Sequence, residues 1–501
     1  MAEGGIGPTG SGSEINLIHS GPSLSQASQQ AVFVQNTGAG ELLVMDQNEN
    51  LSLEICSIMT KLGYGEVIRR RRVEKYKEFN RLITKGNDHF FLKTAGSKAE
   101  GLTCFLENDF DFLLVMKGAI CVESGINIHT IPENIERFRM RTCVYPGYCT
   151  LIQEGTRVRN NCSEIIDPAR CHNGFGYILL SSCLWVDNIK RGPLNWGITG
   201  KQHERARPSI PATFREIAHT DFVVGLSCQC PSILHKWAAR PREWPHSNIV
   251  QKVVSLGAYV TPVGFKKSEY NHMEWRICFN TGEAELVNSL NDTQAKVYVI
   301  LKLILKEIIK PNNKEITSYV LKNIILWQAE KNPQTKFHAR SLFHWLNDGL
   351  KELKTAIENR KLDYYMMPER NLMEDCGLTD ALQRTSWIAD ITEMMEEGPR
   401  VVLRLEKIRK AIVASPETML WFSKNKVELE MLVLELFNRV MRCYNKFRNE
   451  GTQCYYGNWM MDWDVIMAIQ RRIDELNRMV KQRMQLENSS STQDIFVRIL
   501  H

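Results

Sequence analysis

The stretch that decides the reading is Asn108-Asp109-Phe110-Asp111-Phe112-Leu113-Leu114-Val115, with Gly96-Ser97 upstream. From Phe110 to Val115 it is apolar and β-prone, so a strand is expected. On a strand, residues i and i+2 point to the same side. Asp109 and Asp111 would therefore project together, with Phe110 and Phe112 turned to the core. Two adjacent carboxylates repel one another and need a cation. A hard divalent ion such as Mg²⁺, which prefers oxygen ligands and substrate phosphates, suits them. Gly96-Ser97, read as a turn, can offer backbone N–H groups and a hydroxyl to a phosphate. Two metals on shared carboxylates would activate a hydroxyl and stabilise a leaving pyrophosphate. A third acid normally completes such a site, and Asp221, opening the apolar run Phe222–Leu226, is the best placed. The bland alternative is a solvated Asp-x-Asp pair. Asp462-Trp463-Asp464 has that spacing in helical-looking sequence, where i and i+2 share no face, and reads as decoration.

Outward from this stretch, the 501-residue chain carries 63 Lys+Arg against 57 Asp+Glu, a net charge of +6. The charge is uneven. Residues 1–60 hold six acids and no Lys or Arg, whereas residues 61–98 hold eleven Lys/Arg and four acids. That asymmetry points toward a polyanionic partner without establishing one. No basic n-region and apolar h-region open the sequence, and no run reaches the ~18 apolar residues of a membrane span. Fourteen cysteines are scattered rather than dense. A reduced cytoplasmic (or nuclear) setting is the simplest expectation.

Residues 1–50 read as a disordered arm, rich in Gly, Ser, Gln and Asn over 1–40. Val73, Tyr76, Phe79 and Ile83 recur at three- and four-residue steps, predicting a helix over 66–85 whose other faces carry Arg69, Arg70, Arg71, Arg72, Lys75, Lys77 and Arg81. From 145 to 211 the chain reads as irregular. Glu274–Asn280 alternates, with Trp275, Ile277 and Phe279 on one face. After about Asp292 the character turns helical, with Ile300, Leu301, Ile304, Leu305 and Ile308 in a stripe and Thr317 as an N-cap. Residues 376–501 read as a helical extension, its Met- and Leu-rich helices suited to an oligomer, a partner or the main core. Cys162, Cys171-His172, Cys183 and Cys228-Gln229-Cys230 lack the paired spacing of a zinc site and read as ordinary thiols. His203-Glu204 reads as a loop pair.

In order, these features resemble the nucleotidyltransferase superfamily: Gly-Ser, a carboxylate–hydrophobe–carboxylate strand, then a third acid. Glu274-Trp275-Arg276-Ile277-Cys278-Phe279-Asn280, with Glu283 beyond, looks like the Trp-Arg strand of cyclic GMP–AMP synthase (cGAS) and the Mab-type proteins. Lys302 lies in a helix resembling the family's phosphate-contacting helix. Ser318-Tyr319 resembles its base-stacking pair, and Met367-Pro368-Glu369-Arg370-Asn371-Leu372 resembles the segment that closes its core. The likeness runs from about residue 55 to 375.

The resemblance implies an α/β (α+β), bilobal nucleotidyltransferase core with a mixed β-sheet. Residues 51–290 would be the spine helix and catalytic lobe, 291–375 a helical lobe, and 376–501 a helical C-terminal extension. It implies a cyclic dinucleotide made from ATP and GTP in innate immune signalling, triggered by double-stranded RNA or DNA, with a homo-oligomer on the ligand. By carry-over, Asp109, Asp111 and Asp221 hold two Mg²⁺ (or Mn²⁺) ions. Gly96, Ser97 and Lys302 serve phosphate, Arg276, Glu283, Ser318 and Tyr319 serve the nucleotides, and the basic helix serves nucleic acid. Cys278 and Asn280 stand where the vertebrate enzyme has hydroxyl residues. Residues 281–299 contain no His or Cys, so no structural zinc is expected, as in invertebrate cGAS-like receptors. A solvated basic face remains the alternative for the charged helix, and an amphipathic-helix residue for Tyr319. A catalytically inactive Mab-type protein and an RNA-tailing nucleotidyltransferase remain the alternatives for the whole.

Overall fold

The computed structural model describes residues 38–85, 87–105, 107, 109–142, 145–191, 200–202, 209–214, 218–309, 315–450 and 456–486. Most of the arm, Asn108 and His203-Glu204 lie outside the described residues. Where description begins, Gly38–Met59 is a helix (α1), so residues 38–50 are helical rather than part of an irregular arm.

The spine helix α2 spans Glu66–Lys85, as its apolar spacing predicts. Ile68, Val73, Tyr76 and Leu82 are buried along it. β1 (Phe90–Ala95) then leads into a one-turn helix α3 (Gly96–Ala99). The Gly-Ser pair is thus the first turn of a helix rather than a free turn. Next come β2 (Asp109–Val122), β3 (Glu136–Arg141), β4 (Tyr148–Gln153), β5 (Arg170–His172), β6 (Ile178–Leu180), β7 (Gly200–Gln202), β8 (Ile210–Phe214), β9 (Ala218–Gln229), β10 (Ala258–Thr261) and β11 (Glu274–Cys278). The region read as irregular, 145–211, therefore contains short strands from β4 to β8. The segments between them are rich in Gly, Pro and Asn, and pairing with partners elsewhere in the sheet holds these short strands.

The eleven strands pair in the order β1-β2-β3-β4-β11-β10-β9-β8-β7, with β5 on β6 and β6 on β4. β2 also pairs with β9, so the path returns on itself. The decisive ladder is the parallel pairing of β2 with β9. Leu113 to Met116 are buried on β2, as are Val224 and Leu226 on β9. Phe110 and Phe112 are only half-buried. Phe112 stacks on Phe222 at 5.4 Å and on Phe110 at 6.2 Å, forming an aromatic ladder rather than the deep core.

The helical lobe follows: α4 (Asn280–Ser289), α5 (Asp292–Ile304), α6 (Ser318–Lys331) and α7 (Leu342–Asn359). The stripe of α5 is buried, as expected. Thr317 occupies the N-cap of α6, but its side chain makes no capping hydrogen bond. A hairpin, β12 (Asp363–Tyr364) and β13 (Met367–Asn371), closes this lobe. Past residue 376 the chain stays attached. Helix α8 (Ala381–Glu397) buries Trp387, whose indole donates to Ile309 O at 3.0 Å. The 35-residue α9 (Pro416–Glu450) lies along α2, and α10 (Tyr456–Leu486) folds back on α9 through Leu429, Ile473 and Leu476. Among the described residues, no helix is long and apolar enough to cross a membrane. The described cysteines form no disulfide.

Candidate active site

Parallel register sets Asp111 directly opposite Asp221, and Asp109 opposite His219. On the other edge of β2, Asp111 faces Ala95, the last residue before α3. The Gly-Ser turn is thus drawn against Asp111. Gly96 adopts a left-handed φ of +59°, and a Cβ there would stand 2.3 Å from Asp111 Oδ2. Only glycine leaves room for that approach. Ser97 accepts a hydrogen bond from Lys302 of α5, so the phosphate-type turn and the helical lobe meet there.

A cleft of about 340 Å³ opens beside these groups, and Asp109 and Lys302 are not among the residues that line it. Its lining includes Gly96, Ser97, Asp111, Asp221, Arg276, Glu283, Ser318 and Tyr319. Residues from five separate parts of the chain, expected to act together, therefore share one cavity. Arg276 reaches it from the middle of β11, where Trp275 and Ile277 are buried on the opposite side. The Trp275 indole donates to Leu180 O at 2.8 Å, which pins that strand.

The carboxylates of the cleft act on one another. Burial raises the Asp111 carboxyl above its ordinary value, and Asp221 and Asp109 raise it further, while Lys322 opposes them. Desolvation lowers the Lys302 ammonium, and Glu100, Glu107 and Asp111 partly offset it. Among the described residues, no three His, Cys, Asp or Glu side chains are gathered closely enough to hold an ion as they stand. The donor chemistry still fits a hard divalent cation: two carboxylates held in register, a third at i−2, and a mutual repulsion that such an ion would relieve.

The wall of the cleft holds a network that joins two expected residues, Glu283 and Tyr319, to two that the sequence did not single out, Lys322 and Tyr364. Glu283 is 3% exposed and accepts from Tyr319 Oη at 2.7 Å, Tyr364 Oη at 2.6 Å and Lys322 Nζ at 3.2 Å. Lys322 also pairs with Glu100, just past α3, at 2.6 Å. Burial alone would raise Glu283, but Lys322 and the two phenols outweigh it and hold the carboxyl below its ordinary value. Glu283 is therefore engaged by three protein donors, and it anchors the Tyr319 hydroxyl. The single available signal for Lys322 was its position one helical turn after Tyr319, on the face that the pair was expected to present.

The basic helix departs most from expectation. Arg69 and Arg72 are 2% and 1% exposed. Arg69 donates to Leu290 O at 2.6 Å, and Arg72 forms a two-pronged pair with Glu430 at 2.8 and 2.7 Å. Neither can reach a nucleic-acid phosphate, because each answers an internal acceptor. Lys75 pairs with Glu435 of α9, and is half-buried. Arg70, Arg71, Lys77 and Arg81 remain exposed. Of these, Arg70 pairs with Glu66, Lys77 with Glu285, and Arg81 lies 4.0 Å from Glu78.

Residues 293–388 match the family model of the Mab-21 protein HhH/H2TH-like domain. A cyclic GMP-AMP synthase-like receptor of Aethina tumida is 26% identical over 131 residues, covering 26% of this chain and 32% of that protein. Another, of Nicrophorus vespilloides, is 26% identical over 133 residues, covering 25% of this chain and 36% of that protein. The chain spans about a third of the length of the curated relatives it matches. These likenesses support a cGAS-like/Mab-21 family for this chain.

Proposed function

We propose that the protein is a cGAS-like nucleotidyltransferase that makes a cyclic dinucleotide second messenger from ATP and GTP. In this reading it serves innate immune signalling in the cytoplasm and is switched on by duplex RNA or DNA, with a homo-oligomer forming on the ligand. The observation that carries the reading is the in-register pair Asp111 and Asp221, opening into one cleft with Ser97, Arg276 and Tyr319. The names borne by the two matched relatives support it.

Each residue then has a physical task. Asp109, Asp111 and Asp221 would hold two Mg²⁺ or Mn²⁺ ions, which supply charge neutralisation at the attacking and leaving oxygens when bound. The Gly96 and Ser97 backbone and hydroxyl would take the triphosphate, with the Lys302 ammonium countering its charge. Arg276 would meet a base edge. Tyr319, its hydroxyl held by Glu283, would stack on a base, an interaction indifferent to base identity. The exposed Arg70, Arg71, Lys77 and Arg81 would meet phosphates of a duplex, giving salt-sensitive, shape-based binding.

The test is direct. Purified full chain with ATP, GTP and Mg²⁺ or Mn²⁺, with duplex RNA, duplex DNA or neither, is expected to yield a cyclic product by chromatography. Asp109→Ala is expected to abolish product without unfolding the protein. Absence of product under every combination would sink the proposal. The same test covers the alternative of an inactive Mab-type protein. That reading predicts nucleotide binding without turnover, whereas an RNA-tailing enzyme would extend a 3′ end.

A further inference from the structure

The chain between the Gly-Ser turn and the Asp-x-Asp strand is clamped from both sides by buried charge. From within, Lys98, 2% exposed, donates to the carbonyls of Cys104, Phe105 at 3.1 Å and Glu107 at 2.7 Å. Its ammonium also sits 4.4 Å from the Phe110 ring centroid, between the two acids in sequence. From outside, the backbone N–H of Phe105 donates to Glu430 Oε1 at 2.7 Å. Glu430 is 0% exposed and lies on α9, far beyond the segment that matches the family model. Its other partner, Arg72 of the spine helix, donates in turn to Gly101 O at 3.2 Å and Gly63 O at 2.7 Å. Phe105 also packs its ring between Phe110 at 5.3 Å and Phe437 of α9 at 5.2 Å.

We infer that Glu430 is a positioning residue for the proposed metal-binding strand, so that the C-terminal helix α9 completes the active site from outside it. The inference rests on the proposed nucleotidyltransferase reading for the use made of the strand, not for the clamp itself. A carboxylate with no exposure, hydrogen-bonded by a guanidinium and a backbone amide, holds both in one geometry, since any departure strands a buried charge. Phe105 stands four residues before Asp109. A shift there is passed to the acids through the Phe105–Phe110 contact and the Lys98 bonds. Outer supports of metal ligands typically matter for affinity as well as rate.

The experiment uses the full chain and two readouts that need no turnover: hydrogen exchange of peptides spanning residues 101–110, and Mn²⁺ affinity by titration. Glu430→Gln keeps the shape but removes the charge. It is expected to raise exchange in 101–110 while β9 peptides stay protected, and to weaken Mn²⁺ binding on the order of tenfold to a hundredfold. Glu435→Gln, on the same helix as Glu430, breaks the half-buried pair with Lys75 of α2 and is expected to change neither. Should Glu430→Gln not fold, the neutral pair Arg72→Met with Glu430→Leu is read instead, with the same loosening expected because Phe105 N–H loses its acceptor. A folded variant with native exchange at 101–110, or with native Mn²⁺ affinity, overturns the inference. If the unaltered protein makes no product, the proposed function falls and this test still stands.

Discussion

Gly96→Ala separates a structural cost from a chemical one. An added Cβ would stand 2.3 Å from Asp111 Oδ2 and 3.3 Å from its Cγ, against about 3.4 Å for an ordinary contact, so roughly 1.1 Å must be opened. Alanine also inherits a φ of +59°, a conformation that costs L-residues about 1–2 kcal/mol. The second cost is paid by stability alone. The first falls on the Asp111 carboxylate, the group nearest the turn, which must rotate or carry β2 with it. Misplacement of about 1 Å can cost on the order of a hundredfold in rate, equivalent to about 2.7 kcal/mol in the barrier. The variant is therefore expected to lose about 1–2 kcal/mol in urea unfolding and about a hundredfold in product formation. Gly377→Ala is the control: its φ is +69°, and the nearest atom to an added Cβ is Lys266 Nζ at 3.9 Å. It is expected to lose similar stability and no activity. Product formation by Gly96→Ala within about threefold of the unaltered protein would refute the claim that this glycine exists for the approach to Asp111.

Lys322→Met leaves Glu100 and Glu283 buried without their shared cation. It is expected to destabilise the fold by about 3–5 kcal/mol in chemical denaturation. Glu283 is held below its ordinary value in the fold, so its contribution is present above the unfolded carboxylate range and lost as pH falls through the lowered value. Acid unfolding followed by circular dichroism is expected to begin at higher pH in Tyr364→Phe, which removes one of its donors. Asp111 carries the opposite sign. Its raised value means that metal-free stability falls as pH rises through it, so Asp111→Asn is expected to hold or raise the melting temperature in EDTA and to abolish stabilisation by Mn²⁺. On the spine helix, Arg71→Ala is expected to reduce the salt slope of duplex binding by about one, with no change in melting temperature. Arg72→Ala is expected to cost about 3–5 kcal/mol by stranding Glu430.

How much of this was legible follows the range of the forces involved. The i, i+2 spacing of Asp109 and Asp111 and the buried side of Glu274–Cys278 follow from strand geometry, which acts between neighbours. Asp221 could be proposed because an acid heads an apolar run, but nothing local reveals that parallel pairing sets it opposite Asp111 rather than Asp109. Thr317 marks the start of α6 correctly, yet its hydroxyl takes no part in the cap. The short strands of 145–211 escaped notice because their stability comes from partners elsewhere in the sheet. Tyr364 stands three positions before the segment Met367–Leu372, and nothing local points to its bond with Glu283, which spans 81 positions.

The basic run shows the same division most sharply. Composition establishes that Arg69 to Arg72 are four consecutive cations on a helix, and periodicity establishes which apolar residues anchor that helix. Whether a given arginine meets water or an acid depends on what the rest of the chain lays across it. Arg72 finds its carboxylate 358 positions away, on a helix outside the family likeness. The sequence by itself determined the chemistry available: three acids, a Gly-Ser turn, a base-sized aromatic and a surplus of positive charge. Tertiary structure decided which of those charges stay exposed and which are consumed in the core, because burying a charge is tolerable only where the fold supplies its partner.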